Sequence, residues 1–356
     1  MAQPSPARGR GAQTNASGRY ESLVHEAFDD GWTTEDVEPQ QLRTTLQAEN
    51  ARVILTRNDS PDIGFNQSIN PYRGCEHGCT YCYARPAHAY MGLSPGLDFE
   101  SKLFFKPDAA ALLERELSKP GYAPENIQIG GNTDPYQPIE RKLQITRSVI
   151  AVLSRFNHPF SIITKSALIA RDIDLMGPMA EKNLCRAAVS ITTLDRKLAR
   201  SMEPRAATPE RRLDAVRRLS DAGVPTIVMF APVIPGLNDH ELEAVLERSA
   251  EAGAVSAGYV VLRLPLEIKD LFREWLEAGY PDRARRVMSL VRQMRGGRDY
   301  DPEWRKRQVG EGPVAELIAR RFKLACDRYG LNGRWEALDV SRFRVPPRPG
   351  DQLSLL

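Results

Sequence analysis

The sequence predicts an α/β protein built on a partial parallel (β/α)6 barrel, followed by a helical C-terminal region. Three observations carry this. Short β-branched runs alternate with helical patterns of about 10–15 residues, the signature of parallel βαβ units. About six such units occur, too few for an eightfold barrel. The chemically suggestive residues fall at the ends of the runs, where a parallel barrel places its chemistry.

The runs lie at residues 68–73, 126–131, 160–164, 187–192, 225–231 and 258–263. Helices are expected between them at 107–118, 141–155, 170–180, 209–222 and 240–252. In the first, Ala110, Leu113 and Leu117 recur at three- and four-residue spacing, which puts them on one helix face. Pro107 and Pro209 suit first-turn positions, where a missing N–H goes unmissed. Gly223 suits a helix stop, and Asp239 a helix cap at the end of the turn-rich 235–239 segment. These elements place a TIM-like barrel at 51–265. Residues 1–50 are an N-terminal extension; its first eighteen, rich in Pro, Gly, Ala, Ser and Asn, are expected to be disordered for want of apolar side chains. A helical or extended stretch follows through about Asn50. Residues 266–345 read as a basic helical region and 346–356 as a flexible tail.

Composition narrows the function classes. The chain has 356 residues, 42% hydrophobic and 27% charged, with a net charge of +3. That is the balance of a globular protein, and too little bulk charge to define a polyanion binder. No run of about 18 uncharged apolar residues exists, which excludes a membrane-spanning helix. The first twenty residues lack an apolar signal core, so a cytoplasmic location is expected. Residues 282–348 hold 17 Lys and Arg against nine Asp and Glu, so the basic charge is concentrated there. Such a segment is either a nucleic-acid footprint or a solvated helix face.

Five cysteines exclude a disulfide framework, and three of them crowd into Cys75-Glu-His-Gly-Cys79-Thr-Tyr-Cys82. Thiolates are soft ligands suited to zinc or to iron–sulfur clusters. Structural zinc needs four ligands, so a zinc site would recruit His77 or His88. Three thiolates on a four-iron cluster would instead leave one iron open, which points to chemistry rather than structure. Cys185 and Cys326 sit in apolar segments and read as core.

This Cys-x3-Cys-x2-Cys spacing, with Tyr81 before the last cysteine, resembles the radical S-adenosylmethionine (radical SAM) superfamily. The stretches SPDIGFNQSINPYRGCEHGCTYCYARPAH, GGNTDPYQPIE, ITKSALIARDID, VSITTLD, MEPRAATPERRLDAV and APVIPGLND extend the resemblance, in order, over roughly residues 59–240. They resemble the branch that contains spore photoproduct lyase and uncharacterised proteins termed DNA repair photolyases.

The resemblance implies that Cys75, Cys79 and Cys82 ligate a [4Fe–4S] cluster whose open iron chelates the methionine moiety of S-adenosylmethionine. Reduction then yields a 5′-deoxyadenosyl radical for hydrogen abstraction. Tyr81 takes the position that flanks the adenine. Gly130 and Gly131 take that of the glycine-rich strand end at the methionine amino group, with Asn132, Thr133 and Asp134 beside it. Asp134 could equally close an Asx turn into Pro135. Lys165 resembles the lysine that meets the methionine carboxylate, and Ser190 a serine that touches the cofactor. Glu203, Arg205, Arg211 and Arg212 bind ribose or substrate, or form a structural ion pair. The lyase carries a hydrogen-donating Cys where this chain has Gly131-Asn132, so splitting of a thymine dimer is not implied.

The implied substrate is nucleic acid, in DNA repair or modification, and the electron donor a flavodoxin or ferredoxin. Two other classes stay open: an RNA- or protein-modifying radical enzyme, and a non-catalytic metal-stabilised nucleic-acid-binding protein. The last five residues, Gln352, Leu353, Ser354, Leu355 and Leu356, resemble the peptide by which bacterial proteins dock on the DNA sliding clamp. Pro346, Pro347 and Pro349 would hold that tail extended.

Overall fold

Ten strands form two sheets in this computed structural model, which describes residues 9–21, 42–333 and 336–347. They are β1 (Thr45–Ala48), β2 (Leu55–Arg57), β3 (Gln67–Ile69), β4 (Tyr72–Arg73), β5 (Lys102–Phe105), β6 (Ile127–Ile129), β7 (Phe160–Thr164), β8 (Cys185–Ser190), β9 (Thr226–Val233) and β10 (Ser256–Val261). The main sheet runs β10-β9-β8-β7-β6-β3-β2. From β3 to β10 every neighbouring pair is parallel, and β2 lies antiparallel on β3. These six parallel strands are the expected partial TIM-like barrel. A small sheet, β1-β5-β4, flanks it beside the cysteine loop.

Burial follows the period of two. In β7, Phe160, Ile162 and Thr164 are buried while Ser161 and Ile163 are less so. The helices Ala109–Leu117, Ile145–Arg155, Ile173–Ala180, Pro209–Asp221 and Leu242–Glu251 cover the outside, their apolar faces inward. Pro209 opens its helix, and Gly223, in left-handed conformation, follows its end as expected.

Local differences from the sequence reading have physical causes. The run 68–73 splits at Asn70-Pro71, because Pro71 has no N–H to continue the ladder; its carbonyl accepts from Lys106 N at 3.0 Å instead. The helix expected at 141–155 breaks at Gln144, which takes a left-handed φ of 52°. The Glu140 carboxylate accepts from Thr146 N at 3.0 Å and Arg147 N at 3.3 Å, restarting the helix there. The stretch before Ile173 is a 3-10 helix, Ala167–Asp172. Pro107 lies ahead of its helix rather than in the first turn. Asp239 does not cap a helix: its Oδ1 accepts from Gly236 N at 2.7 Å, closing the preceding turn.

Beyond the barrel, helices Ile268–Gly279 and Pro281–Gln293 pack Leu271, Phe272, Val287 and Met288 toward Cys79 and Tyr81. Helix Gly312–Tyr329 lies on Leu242–Glu251, joined by Arg321 Nε to Glu243 Oε1 at 2.7 Å. The chain then crosses the barrel floor. Asp339 N donates to Asn183 O at 2.9 Å, Arg344 N to Phe156 O at 3.0 Å, and Phe343 stacks on Phe156.

The N-terminal segment departs most. Disorder was expected through about residue 18, yet residues 9–21 pack on the cysteine loop, with Arg10 and Ala12 buried. Composition misleads here because polar bonds to buried Glu100, not apolar contacts, hold the segment. Residues 1–8, the stretch 22–41 and the clamp-like tail 352–356 lie outside the described residues. Among the described residues no helix is long and apolar enough to cross a membrane.

Candidate active site

The cysteine loop follows β4 at the C-terminal mouth of the barrel. Cys75 and Cys79 are buried and Cys82 half-buried. Burial raises the pKa of all three thiols; for Cys75 the nearby Asp134 and the other two thiols raise it further. A thiol set held this dry and close together favours the bound over the free thiolate. Backbone bonds fix the loop at several points. Cys75 N donates to Phe99 O at 2.9 Å, Thr80 N to Met202 O at 3.0 Å, and Arg205 N to His77 O at 3.2 Å.

The two histidines of the loop region differ in their partners. His77 Nδ1 lies 3.3 Å from Asp134 Oδ2. His88 Nε2–H reaches Lys102 O at 2.9 Å, and burial lowers its pKa to about 4. Among the described residues no three His, Cys, Asp or Glu side chains converge tightly enough for a single ion. A four-iron cluster takes its thiolates on separate irons and needs no such convergence on one ion.

Asp134, expected at the cofactor or in an Asx turn, bonds to several groups of the protein. Its Oδ1 accepts from Tyr136 N at 2.8 Å, the Asx turn, and from Thr164 Oγ1 at 2.6 Å. Its Oδ2 accepts from Lys165 N at 2.7 Å. Burial alone would raise its pKa, but the neighbouring His77 and these hydrogen bonds outweigh burial and hold it at about 2. Asp134 thus ties the β6 loop, the end of β7 and the cysteine loop together. Beside it, Asn132 N donates to Asn70 Oδ1 at 2.9 Å, and Thr133 Oγ1 to Tyr72 O at 2.8 Å. Gly130 has φ 84°, and a Cβ there would sit 2.6 Å from Pro135 Cδ and 2.7 Å from Ile163 O. Packing within the protein requires that glycine. Gly131 has no such constraint; its carbonyl accepts from Tyr83 Oη at 2.5 Å.

Lys165 ends β7 as expected. Its ammonium stands 5.8 Å from the centre of the Tyr81 ring, close enough to Cys79, Cys82 and Glu203 to stabilise their negative charge. It makes no ion pair with a described residue. Ser190, 3% exposed, has a side-chain hydroxyl with no hydrogen bond to a described residue; its backbone carbonyl accepts from Arg212 Nη1 at 3.0 Å. The ends of β7 and β8 therefore carry a cation and a hydroxyl that have no ion-pair or side-chain hydrogen-bond partner among the described residues.

Behind them lies a buried network. Arg212 pairs with Glu203 Oε2, and Tyr81 Oη and Thr192 Oγ1 both donate to Glu203 Oε1, the latter at 2.6 Å. The structural ion pair is thus realised for Glu203 and Arg212. Arg205 Nη1 instead reaches Glu76 Oε1 in the cysteine loop at 2.9 Å. Cys185 donates to Met176 O from the floor end of β8, and Cys326 is buried in the core.

Two residues at the mouth were missed. The Tyr83 ring lies 5.2 Å from the Arg263 guanidinium, which follows β10. Tyr83 thus spans from the β6 loop to the end of β10. The signal was available for both: Tyr83 adjoins Cys82, and Arg263 ends an apolar run just as Lys165 does.

Comparison with known proteins gives the family. The family profile described as the Radical SAM superfamily matches residues 69–248. An uncharacterized protein of Mycobacterium tuberculosis strain H37Rv is 36% identical over 267 residues, covering 74% of this chain and 77% of that one. An uncharacterized protein of Methanocaldococcus jannaschii is 27% identical over 62% of this chain and 78% of its own. Among solved structures, spore photoproduct lyase complexed with dinucleoside spore photoproduct shares the fold. It has a TM-score of 0.56 at 15% identity, over 80% of this chain and 78% of that one. The chain belongs to the radical SAM superfamily, and is a radical SAM enzyme that works with a [4Fe–4S] cluster and S-adenosylmethionine.

Proposed function

We propose that Cys75, Cys79 and Cys82 ligate the cluster, and that Lys165 and Ser190 receive S-adenosylmethionine beside it to act on a nucleic-acid substrate. The observation that carries the site assignment is the Lys165 ammonium. It is half-buried, faces the thiols and the Tyr81 ring, and has no anionic partner of its own among the described residues. A cation so placed suits a ligand carboxylate. Tyr81 supplies an apolar ring face whose hydroxyl is anchored on Glu203. The backbone of Gly130, Gly131 and Asn132 forms the opposite rim, and Asp134 acts as a positioning residue. When bound, the two cofactors supply reductive cleavage and a 5′-deoxyadenosyl radical. The residues here orient them and exclude water.

A second observation supports the substrate class. Arg141, Arg211 and Arg218 line an open cavity of about 500 Å³ with Ala167 and Leu168. Its two carboxylates lean toward other arginines, Glu210 to Arg196 at 4.0 Å and Asp214 to Arg217 at 3.9 Å. The three cavity arginines have no ion-pair partner among the described residues, an arrangement suited to phosphodiester groups. No thiol stands at Gly131-Asn132 to return a hydrogen atom, so a modifying reaction, or a lyase drawing on another donor, fits better than dimer splitting. A flavodoxin or ferredoxin in the cytoplasm completes the reading as electron source.

The test is 5′-deoxyadenosine release by anaerobically reconstituted, dithionite-reduced protein, with Cys79→Ala as control. Product from wild type alone is expected. Binding of single-stranded DNA, RNA and an unrelated protein is then followed against salt. Arg211→Ala with Arg218→Ala is expected to flatten the log–log salt dependence by about 0.7 per lost phosphate contact. Salt-independent binding, or binding only to the protein, would return the protein-modifying reading.

A further inference from the structure

The cysteine loop has an outer side as well as a barrel side, and the outer side is covered by the N-terminal segment. Glu100 is fully buried between the two. Its Oε2 accepts from Gly11 N at 2.9 Å, its Oε1 accepts from Ala12 N at 2.8 Å, and Oε1 pairs with Arg85. Arg85, itself fully buried, donates from Nε to the carbonyl of Cys79 at 2.9 Å and from Nη1 to Pro95 O and Gly96 O at 3.0 and 2.8 Å. Three hydrogen-bonded steps thus join Gly11 to the backbone of the central cysteine.

Arg10 makes a parallel connection. Its Nη1 donates to Glu100 O at 2.5 Å, and its Nη2 donates to Leu42 O at 2.7 Å and Thr44 Oγ1 at 3.0 Å. Thr44 Oγ1 in turn donates to Glu76 Oε1, between Cys75 and Cys79, at 2.7 Å. The backbones touch directly as well. A Cβ on Gly11 would lie 1.8 Å from the carbonyl oxygen of Gly78, a contact no side chain tolerates. Further along, Ser94 Oγ donates to Ala16 O at 2.5 Å, and Asn15 exchanges hydrogen bonds with Asp98 at 2.9 and 3.1 Å.

We propose that residues 10–16 are part of the cluster site: a strap that holds the Cys75–Cys82 loop in its ligating shape and closes its outer side. A loop that must present three thiols to one cluster binds tightly only if its shape is set beforehand by supporting bonds. The core fixes the barrel side of the loop. On the outer side, Glu100, Arg85 and the strap set it. The strap places little apolar surface on the barrel, so its loss leaves the fold standing while loosening the loop.

The inference rests on the assignment of the three cysteines as ligands. The test uses full-length Gly11→Ala and Arg10→Ala beside wild type and Cys79→Ala. Iron and sulfide per chain, the rate of cluster bleaching in air, and the electron paramagnetic resonance signal of the reduced cluster are measured. Circular dichroism and melting of the metal-free proteins are recorded in parallel. Both strap variants are expected to keep the metal-free fold with at most a small loss in melting, to bleach about 10- to 100-fold faster, and to give a broadened signal. Unchanged bleaching and signal in both would overturn the strap, as would a melting loss with normal bleaching, which would make the segment merely stabilising. A wild type that assembles no cluster, like Cys79→Ala, would instead overturn the ligand assignment.

Discussion

Two buried carboxylates grip the cysteine loop from opposite sides. Glu203 faces it from the barrel and Glu100 from outside, and each is paired with a buried arginine. The chemistry is the same but the support is not. Glu203 and Arg212 sit among Met202, Leu213 and Val216, side chains that the core already fixes. Glu100 is completed by Gly11 and Ala12, whose segment contributes backbone N–H groups and little apolar surface. An ion pair embedded in a core stabilises or destabilises the whole fold. One completed by a polar strap acts on the site it covers.

The comparison is broken most directly at the arginines. Arg212→Met removes the cation but leaves Glu203 buried, which is expected to cost about 3–5 kcal/mol of global stability. Chemical denaturation of the metal-free protein measures it. Arg10→Ala leaves Glu100 still paired with Arg85 and is expected to cost less than about 2 kcal/mol. Equal losses would mean that the strap is as much a part of the core as Arg212 is.

Lys165→Met sharpens the contrast in the other direction. The lysine touches neither arginine, so both grips stay in place. Losing the proposed charge-assisted contact to the cofactor carboxylate, worth about 1.5–3 kcal/mol, is expected to weaken S-adenosylmethionine binding by about 10- to 100-fold. Iron content should not change. Calorimetry on the reconstituted protein reads the first, and iron analysis the second. Lost iron without weakened binding would move Lys165 from the cofactor to the loop.

What was legible in the sequence follows the same division. Six parallel strands declared themselves because each alternates with a helix, and β7 was bounded correctly to the residue at Phe160–Thr164. Lys165 stood out as a cation ending an apolar strand, and Glu203 and Arg212 are near enough in sequence to be read as a pair. Arg10 and Glu100 are separated by 90 residues, and nothing local to either predicts the other. Composition assigned the strap to disorder because it counts apolar side chains, and the strap is held by backbone N–H groups that composition does not see. Asp134 was legible as a polar residue at a strand end, but its several partners come from three elements, a convergence that only the folded chain creates.

The two grips also differ in how they meet acid. On the outer side His88 packs edge-on against Phe99, with Asp98 and Arg85 as its charged neighbours. Burial lowers its pKa from 6.5 to about 4, against the Lys102 carbonyl and Asp98, which favour the proton. A group depressed on folding stabilises fully above its unfolded pKa, so this contribution is lost as pH falls from 6.5 toward 4. On the barrel side burial would raise the Glu203 pKa, but Arg212 and Lys165 outweigh it and lower the value from 4.5 to about 2. Its contribution therefore holds until pH drops below about 4.5. Between pH 6.5 and 5.5 only the outer grip should weaken, by at most about 1.4 kcal/mol for one histidine. His158, at the floor, is also held near 4 and adds its own slope. His88→Gln keeps a donor for the Lys102 carbonyl and cannot be protonated in this range. Denaturation midpoints at pH 7, 6 and 5 should accordingly fall less steeply in the variant, by one histidine's share. Parallel curves would show that acid reaches the loop through neither grip.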